Sequence, residues 1–182
     1  MQFIQTTIPD VFVVEPQVFG DDRGFFLEYW HQRKYRDHGI DVNFVQDNHS
    51  RSIRHTLRGL HYQIQHAQGK LVKVILGEIF DVAVDLRRSS QTFGQWTGEH
   101  LSADNKKMLW VPEGFAHGFL VVSETAEVCY KCTDYYSPEH ERSLLWNDPD
   151  VGIEWPIAPD QIPILSEKDA NAVKLIQAET FA

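Results

Sequence analysis

A handful of residues in this chain have side chains and neighbours suited to moving protons. His61 stands in Leu57-Arg-Gly-Leu-His-Tyr-Gln63, and His117 in Val111-Pro-Glu-Gly-Phe-Ala-His-Gly118. Lys70 opens the apolar run Lys70–Leu76, Tyr130 sits between two cysteines in Cys129-Tyr-Lys-Cys132, and Asp47 lies in Val45-Gln-Asp-Asn-His-Ser50. Histidine is the side chain whose ordinary pKa lies nearest neutrality, so it suits a general base. A lysine held in a dry site stabilises charge developing on an oxygen. Each residue also has an ordinary alternative: a hydrogen-bonded strand histidine, a solvated lysine, a packed tyrosine with its hydroxyl at an edge, an Asp-Asn turn. Period-two alternation puts one lysine of Lys70–Leu76 on each face, Lys70 on one and Lys73 on the other, and does not say which faces inward.

Pro112-Glu-Gly-Phe-Ala-His117 has the form P-x-G-x-x-H, the second half-motif of the cupins, in which the histidine often binds metal. The first half-motif would be H-x-H followed by Glu, but the matching place reads His61-Tyr62-Gln63 and no Glu follows before Glu78. Only two of about three required protein ligands remain, so a metal site is disfavoured. Cys129 and Cys132 form a C-x-x-C inside a strand pattern, which points them to opposite faces; both are expected to pack, with no redox or zinc role.

The elements that must carry these residues read as many short strands. Phe3–Thr7 and Val11–Glu15 flank a Pro-Asp turn; Gly24–Tyr29, Val42–Asn48 and Leu57–Gln63 follow. Lys70–Leu76 and Ile79–Leu86, joined by Gly77-Glu78, carry a hairpin signal. Gln95–Leu101, Lys107–Val111, Gly118–Ser123 and Glu127–Asp134 continue the pattern. Helices are expected only at His31–His38, ending at Gly39, and at Ser166–Glu179, with Ser166 as N-cap. Trp146–Pro163 reads as irregular chain packed on the surface. Short strands separated by turn signals predict an all-β sandwich or barrel, and a jelly roll whose interior holds a ligand is the natural form.

Composition bounds the partners. The 182 residues suit a single domain, residues 1–182, with 42% hydrophobic and 24% charged residues, as in ordinary globular proteins. A net charge of -9 argues against nucleic acid, although a local Arg and Lys cluster could hold a small anion. Neither a signal-peptide pattern nor a membrane-length apolar run is seen, so a cytoplasmic location with no membrane association is expected.

The motifs taken together are more specific than any one of them. VFGDDRGFF, FVQDNHS, LRGLHYQ, AQGKLVKVILGEIFDVAVDLR, FGQW, WVPEGFAHGF, DYYSPEHE and WNDPDVGIEWP occur in order from Ile8 to Ala172. This sequence resembles the dTDP-4-dehydrorhamnose 3,5-epimerase family over nearly its whole length. The resemblance implies a cupin-type jelly-roll barrel, a homodimer, no metal or other cofactor, and inversion of C3 and C5 of dTDP-4-dehydro-6-deoxy-D-glucose to give dTDP-4-dehydro-L-rhamnose. Residue by residue, it implies that His61 is the general base, Asp169 orients it, Tyr130 is the acid on the opposite face, and Lys70 lies beside the C4 oxygen. Arg23, Glu28, Gln46, Asp47, Asn48, Arg58, Lys70, His117, Glu141 and Lys168 match substrate-binding positions, and Tyr136 matches an aromatic stacked on thymine. Arg23, Arg58 and Lys168 are then the candidate diphosphate cluster. The loop between His61 and Lys70 is a residue shorter than the family pattern.

This chemistry suits these residues. A hydrogen beside a ketone is acidic because its anion is an enolate, so its removal needs a base, an oxygen stabiliser and a second group for reprotonation from the other face. An epimerase acting on C5 or C3 alone would carry the same residues. From other classes, a non-catalytic sugar-nucleotide-binding module would need no base, and a metal-dependent cupin oxygenase would carry a stoichiometric metal.

Overall fold

A computed structural model of the chain describes residues 1–158 and 160–182; Pro159 falls inside the stretch expected to be irregular. The strands in chain order are β1 (Gln2–Gln5), β2 (Phe12–Glu15), β3 (Val18–Asp21), β4 (Gly24–Leu27), β5 (Gln46–Ile53), β6 (Leu57–Gln63), β7 (Lys70–Leu76), β8 (Glu78–Asp85), β9 (Trp96–Ser102), β10 (Met108–Val111), β11 (Phe115–Val121), β12 (Thr125–Cys132) and β13 (Glu141–Ser143). Two short helices, α1 (Gln32–Arg36) and α2 (Glu167–Ala170), accompany them.

Two antiparallel sheets face each other. The first runs β1-β2-β10-β7-β12-β5 and the second β13-β6-β11-β8-β9. Alternation along each strand supplies an apolar layer between them, including Val13, Val72, Val74, Leu109 and Val128 from the first sheet and Ile79, Ala83, Leu101, Phe119 and Val121 from the second. Burying each such side chain contributes roughly 1.5–3 kcal/mol. The outer face of the first sheet is covered by α1 and its flanks, where Tyr35 packs on Leu71, Met108 and Trp110. The chain after β13 covers the second sheet, with Trp155 and Ala178 against Leu60, Tyr62 and Val84.

The jelly-roll expectation holds, and the differences lie in particular elements. Gly77-Glu78 does not close a hairpin: β7 belongs to the first sheet and β8 to the second, so the chain crosses between sheets there. Gly77 has φ +73, and a Cβ on it would lie 2.0 Å from the Thr125 carbonyl oxygen, a fit open only to glycine. The C-terminal helix is much shorter than Ser166–Glu179. It stops at Ala170 because the next residues spend their backbone groups elsewhere: Val173 O accepts from Leu145 N at 2.8 Å, and Leu175 N donates to the Asp148 carboxylate at 2.5 Å. The first helix forms within its expected span, and Gly39 past its end has φ +85.

β5 runs from Gln46 to Ile53, later than expected, because an edge strand with polar residues on both faces gives no apolar period. Among the described residues β3 pairs only with β4, forming a separate hairpin that exposes Phe19, Phe25 and Phe26 by 56%, 63% and 70%.

Candidate active site

At one end the space between the sheets turns polar. A cavity of about 260 Å³ is lined there by Gln46, Asn48, His61, Gln63, Lys70, Tyr130, Tyr136 and Glu141, among others. β6 of the second sheet supplies His61 and Gln63; β5, β7 and β12 of the first supply Gln46, Asn48, Lys70 and Tyr130.

His61 Nε2 lies 2.5 Å from Asp169 Oδ1. Asp169 is buried in α2, where its other oxygen accepts from the Ser166 hydroxyl at 2.8 Å and its N–H donates to Ser166 Oγ at 3.2 Å. Burial alone would raise the Asp169 carboxyl pKa, but the hydrogen bond and charge of His61 and the Ser166 hydroxyl hold it below its ordinary value. A carboxylate therefore faces Nε2, leaving Nδ1 as the nitrogen free to take a proton.

Lys70 is 9% exposed, and among the described residues no carboxylate comes within ion-pair distance of its ammonium. Burial lowers its pKa; Cys132, Glu141 and Asp81 oppose that from further away. Lys73, on the opposite face of β7, instead stacks its ammonium over the Tyr29 ring at 3.5 Å, which settles the question that alternation left open. Tyr130 packs on the inter-sheet core, and burial raises its hydroxyl pKa, with the Arg58 charge and Asn48 pulling the other way.

Arg58 shares the His61 face through an irregularity. Across β6 and β11, His61 faces His117 while Arg58 faces Phe119, so three steps on one strand match two on the other. Plain alternation would have sent Arg58 outward. The extra residue sits at Gly59, whose absent Cβ would lie 2.5 Å from the Gly118 Cα. Arg58 Nε then donates to Ser52 Oγ at 2.9 Å.

Tyr136 and Glu141 form the rim. The Tyr136 hydroxyl donates to Glu141 at 2.9 Å, and Lys168 Nζ donates to the other Glu141 oxygen at 2.8 Å. Burial would raise the Glu141 pKa, but these two partners hold it below its ordinary value.

Other expected site residues lie elsewhere. Asp47 alternates away from Gln46 and Asn48 to the outer face of the first sheet, where it pairs with Lys131 at 2.9 Å. His117 is buried behind the cavity lining, with Nε2 2.8 Å from Asp81 Oδ1. Arg23 and Glu28 do not line the cavity: Arg23 pairs with Asp21 on the exposed hairpin, and Glu28 with Lys34 at 2.6 Å. The Arg23, Arg58 and Lys168 cluster is thus not assembled within one chain. Sequence reasoning assigned no role to Gln63, although the missing cupin histidine drew attention to its position. Cys132 packs inward, Cys129 faces the outer surface, and both are free thiols. Among the described residues no three His, Cys, Asp or Glu side chains converge as a metal site.

The profile of the dTDP-4-dehydrorhamnose 3,5-epimerase family matches residues 5–177. The chain is 59% identical over 182 residues to a dTDP-4-dehydrorhamnose 3,5-epimerase of Pseudomonas aeruginosa, covering 100% of this chain and 99% of that one. It is 55% identical over 183 residues to the enzyme of that name from Shigella flexneri, with the same coverage of 100% and 99%. A solved dTDP-6-deoxy-D-glucose-3,5-epimerase of Legionella pneumophila, in complex with dTDP-4-keto-L-rhamnose, superposes with a TM-score of 0.94 at 51% identity, covering 98% of this chain and 94% of that one.

Proposed function

The chain belongs to the dTDP-4-dehydrorhamnose 3,5-epimerase family, and from that membership and the geometry of the cavity we infer how it works. It is an isomerase that inverts C3 and C5 of dTDP-4-dehydro-6-deoxy-D-glucose, giving dTDP-4-dehydro-L-rhamnose. The observation that carries the mechanism is that His61, backed by the Asp169 carboxylate, and the partly buried Tyr130 line one cavity from opposite sheets.

In each half-reaction His61 Nδ1 takes the proton beside the C4 ketone, and the electrons of that C–H bond form the enolate. Its negative charge collects on the C4 oxygen beside the Lys70 ammonium, which among the described residues has no carboxylate at ion-pair distance to compete for it. Asp169 supports the imidazolium that forms. The Tyr130 hydroxyl returns a proton to the opposite face of the carbon, inverting it. Tyr130 is poised for this because burial keeps its hydroxyl protonated. C3 and C5 both flank C4, so one base serves both after the ring turns, once exchange with water has carried off the proton on His61 and returned one to Tyr130. No step needs a metal or redox cofactor.

Arg58, Gln46, Asn48, Glu141 and Lys168 contact the nucleotide sugar, and Tyr136, half exposed at the rim, stacks on thymine. Asp47 is placed to help only through its backbone, and His117 acts from behind the lining. Residues 1–182 work as one unit, because Asp169 near the end completes the His61 pair. The protein is a homodimer whose exposed Phe19, Phe25 and Phe26 hairpin docks on the partner; this arm delivers Arg23 and Glu28 to the partner's cavity. A nucleotide-activated sugar as substrate supports a cytoplasmic location.

The test is NMR of dTDP-4-dehydro-6-deoxy-D-glucose with the protein in D₂O. Deuterium at C3 and C5 with the L-rhamno product is the expected outcome; label at one carbon would make it a single-site epimerase, and none would overturn the mechanism.

A further inference from the structure

Gln63 stands where the metal-binding cupin half-motif has its second histidine. It is 4% exposed and lines the cavity two residues beyond His61. Its amide is fully engaged. Nε2 donates to the His66 carbonyl at 2.6 Å and to the Tyr135 carbonyl at 3.2 Å, while Oε1 accepts from Ser137 N at 2.9 Å. Both N–H donors are spent, which fixes the amide's orientation.

These bonds bracket the residue between their targets. Tyr136 N, the backbone donor between Tyr135 and Ser137, is held by Gln46 Oε1 at 2.9 Å. Three neighbouring backbone groups are thus tied to two glutamines, one on β6 of the second sheet and one on β5 of the first. The Tyr135–Ser137 segment belongs to neither sheet. Among the described residues, these amides and the Tyr136 hydroxyl on Glu141 are its side-chain hydrogen bonds to the cavity walls.

We propose that Gln63 is a positioning residue for nucleotide recognition: its amide pins the backbone on either side of Tyr136 so that this ring is presented, already ordered, to the thymine. The proposal rests on the stacking role given to Tyr136 above. Ordering a rim segment before the ligand arrives removes an entropic cost from binding and leaves the proton-transfer groups untouched. Gln63 therefore acts on affinity for the nucleotide, whereas His61, on the same strand, acts on turnover.

The test compares the wild type with Gln63→Met, which keeps length and loses all three bonds, and with Gln63→Glu, which still accepts from Ser137 N but cannot donate to the two carbonyls. The dTDP dissociation constant is measured by calorimetry and kcat and KM by NMR, after circular dichroism shows a folded protein. Loss of two or three such bonds weakens dTDP binding about tenfold or more. KM should rise in step, while kcat at saturation falls less than about threefold, since uniform binding is what is lost. In a Tyr136→Ala background the Gln63 change should cost no further dTDP affinity. Unchanged dTDP affinity in a folded variant, an equal loss in the Tyr136→Ala background, or a fall confined to kcat would overturn the proposal. Should Gln63→Met not fold, Gln63→Glu decides by the same criteria. A wild-type protein that does not bind dTDP at all would instead sink the functional reading itself.

Discussion

His61 Nε2 and Asp169 Oδ1 lie 2.5 Å apart although 108 residues separate them along the chain. The histidine is on a strand inside the second sheet, and the aspartate is the buried residue of a four-residue helix capped by Ser166. Asp169→Asn removes the charge and keeps the shape. It should lower kcat about 10²–10⁴-fold, the range of positioned proton transfer. Deuterium exchange at C3 and C5 should slow together, since one base serves both. Exchange at the wild-type rate would refute the pairing's role.

Tyr130→Phe separates the two halves of the reaction. The variant should still wash deuterium into the first carbon, because His61 and Lys70 are intact, but should fail to invert it. NMR of recovered substrate distinguishes label with retention from label with inversion. Inversion at the wild-type rate would remove Tyr130 as the acid.

Replacing Lys70 should have opposite effects on turnover and stability. Lys70→Met should cost about 10²–10³-fold in kcat, as loss of an oxyanion donor does. The same change should raise the melting temperature by a few degrees, because a buried ammonium without a close carboxylate is replaced by an apolar chain of similar length. Burial lowers the Lys70 pKa in the folded state. Its charged form therefore weakens the fold fully below the folded pKa, and that penalty fades as pH rises from there towards the unfolded value of about 10.4. Melting curves of both proteins from pH 7 to 10 should converge; a constant gap would contradict the assignment.

Asp85 offers a control away from the chemistry. It is buried and accepts from Arg87, Ser90 and Thr92. Burial would raise its carboxyl, but these donors pull it down to about 2. Asp85→Asn should lose about 2–3 kcal/mol at pH 7. A depressed carboxyl stabilises above the unfolded pKa, so this difference should vanish as pH falls from about 4 to about 2. Denaturant titrations across that range check it, with kcat at neutral pH unchanged.

Arg23 tests the dimer. If it serves the partner's cavity, mixing inactive Arg23→Ala and His61→Ala proteins should restore activity, because each mixed dimer has one cavity with both residues native. Random exchange would restore about a quarter of wild-type activity. No recovery after verified subunit exchange would place Arg23 outside the partner's site.

The sequence by itself determined the class of fold and most strand positions. Turn residues and period-two patterns are local, and they are legible wherever one strand face is apolar, as in Lys70–Leu76. They failed where both faces are polar, as in β5, whose inner residues Gln46 and Asn48 line the cavity and whose outer residue Asp47 pairs with Lys131. They misread Gly77-Glu78 because a tight turn within a sheet and a crossing between sheets use the same residues. They lengthened the last helix because propensity cannot see Leu145 and Asp148 competing for its backbone.

The resemblance named His61, Asp169, Lys70 and Tyr130, but only the tertiary structure put His61, Lys70 and Tyr130 around one space with Asp169 paired to the histidine. It turned Lys70 inward and Lys73 outward, brought Arg58 to the His61 face through an extra residue at Gly59, and left Arg23 on an exposed arm. It alone revealed Gln63 as the clamp on Tyr136. Facing, register and long-range hydrogen bonds depend on which strands pair, and that choice is made by the burial of whole sheet faces, which no short stretch of sequence contains.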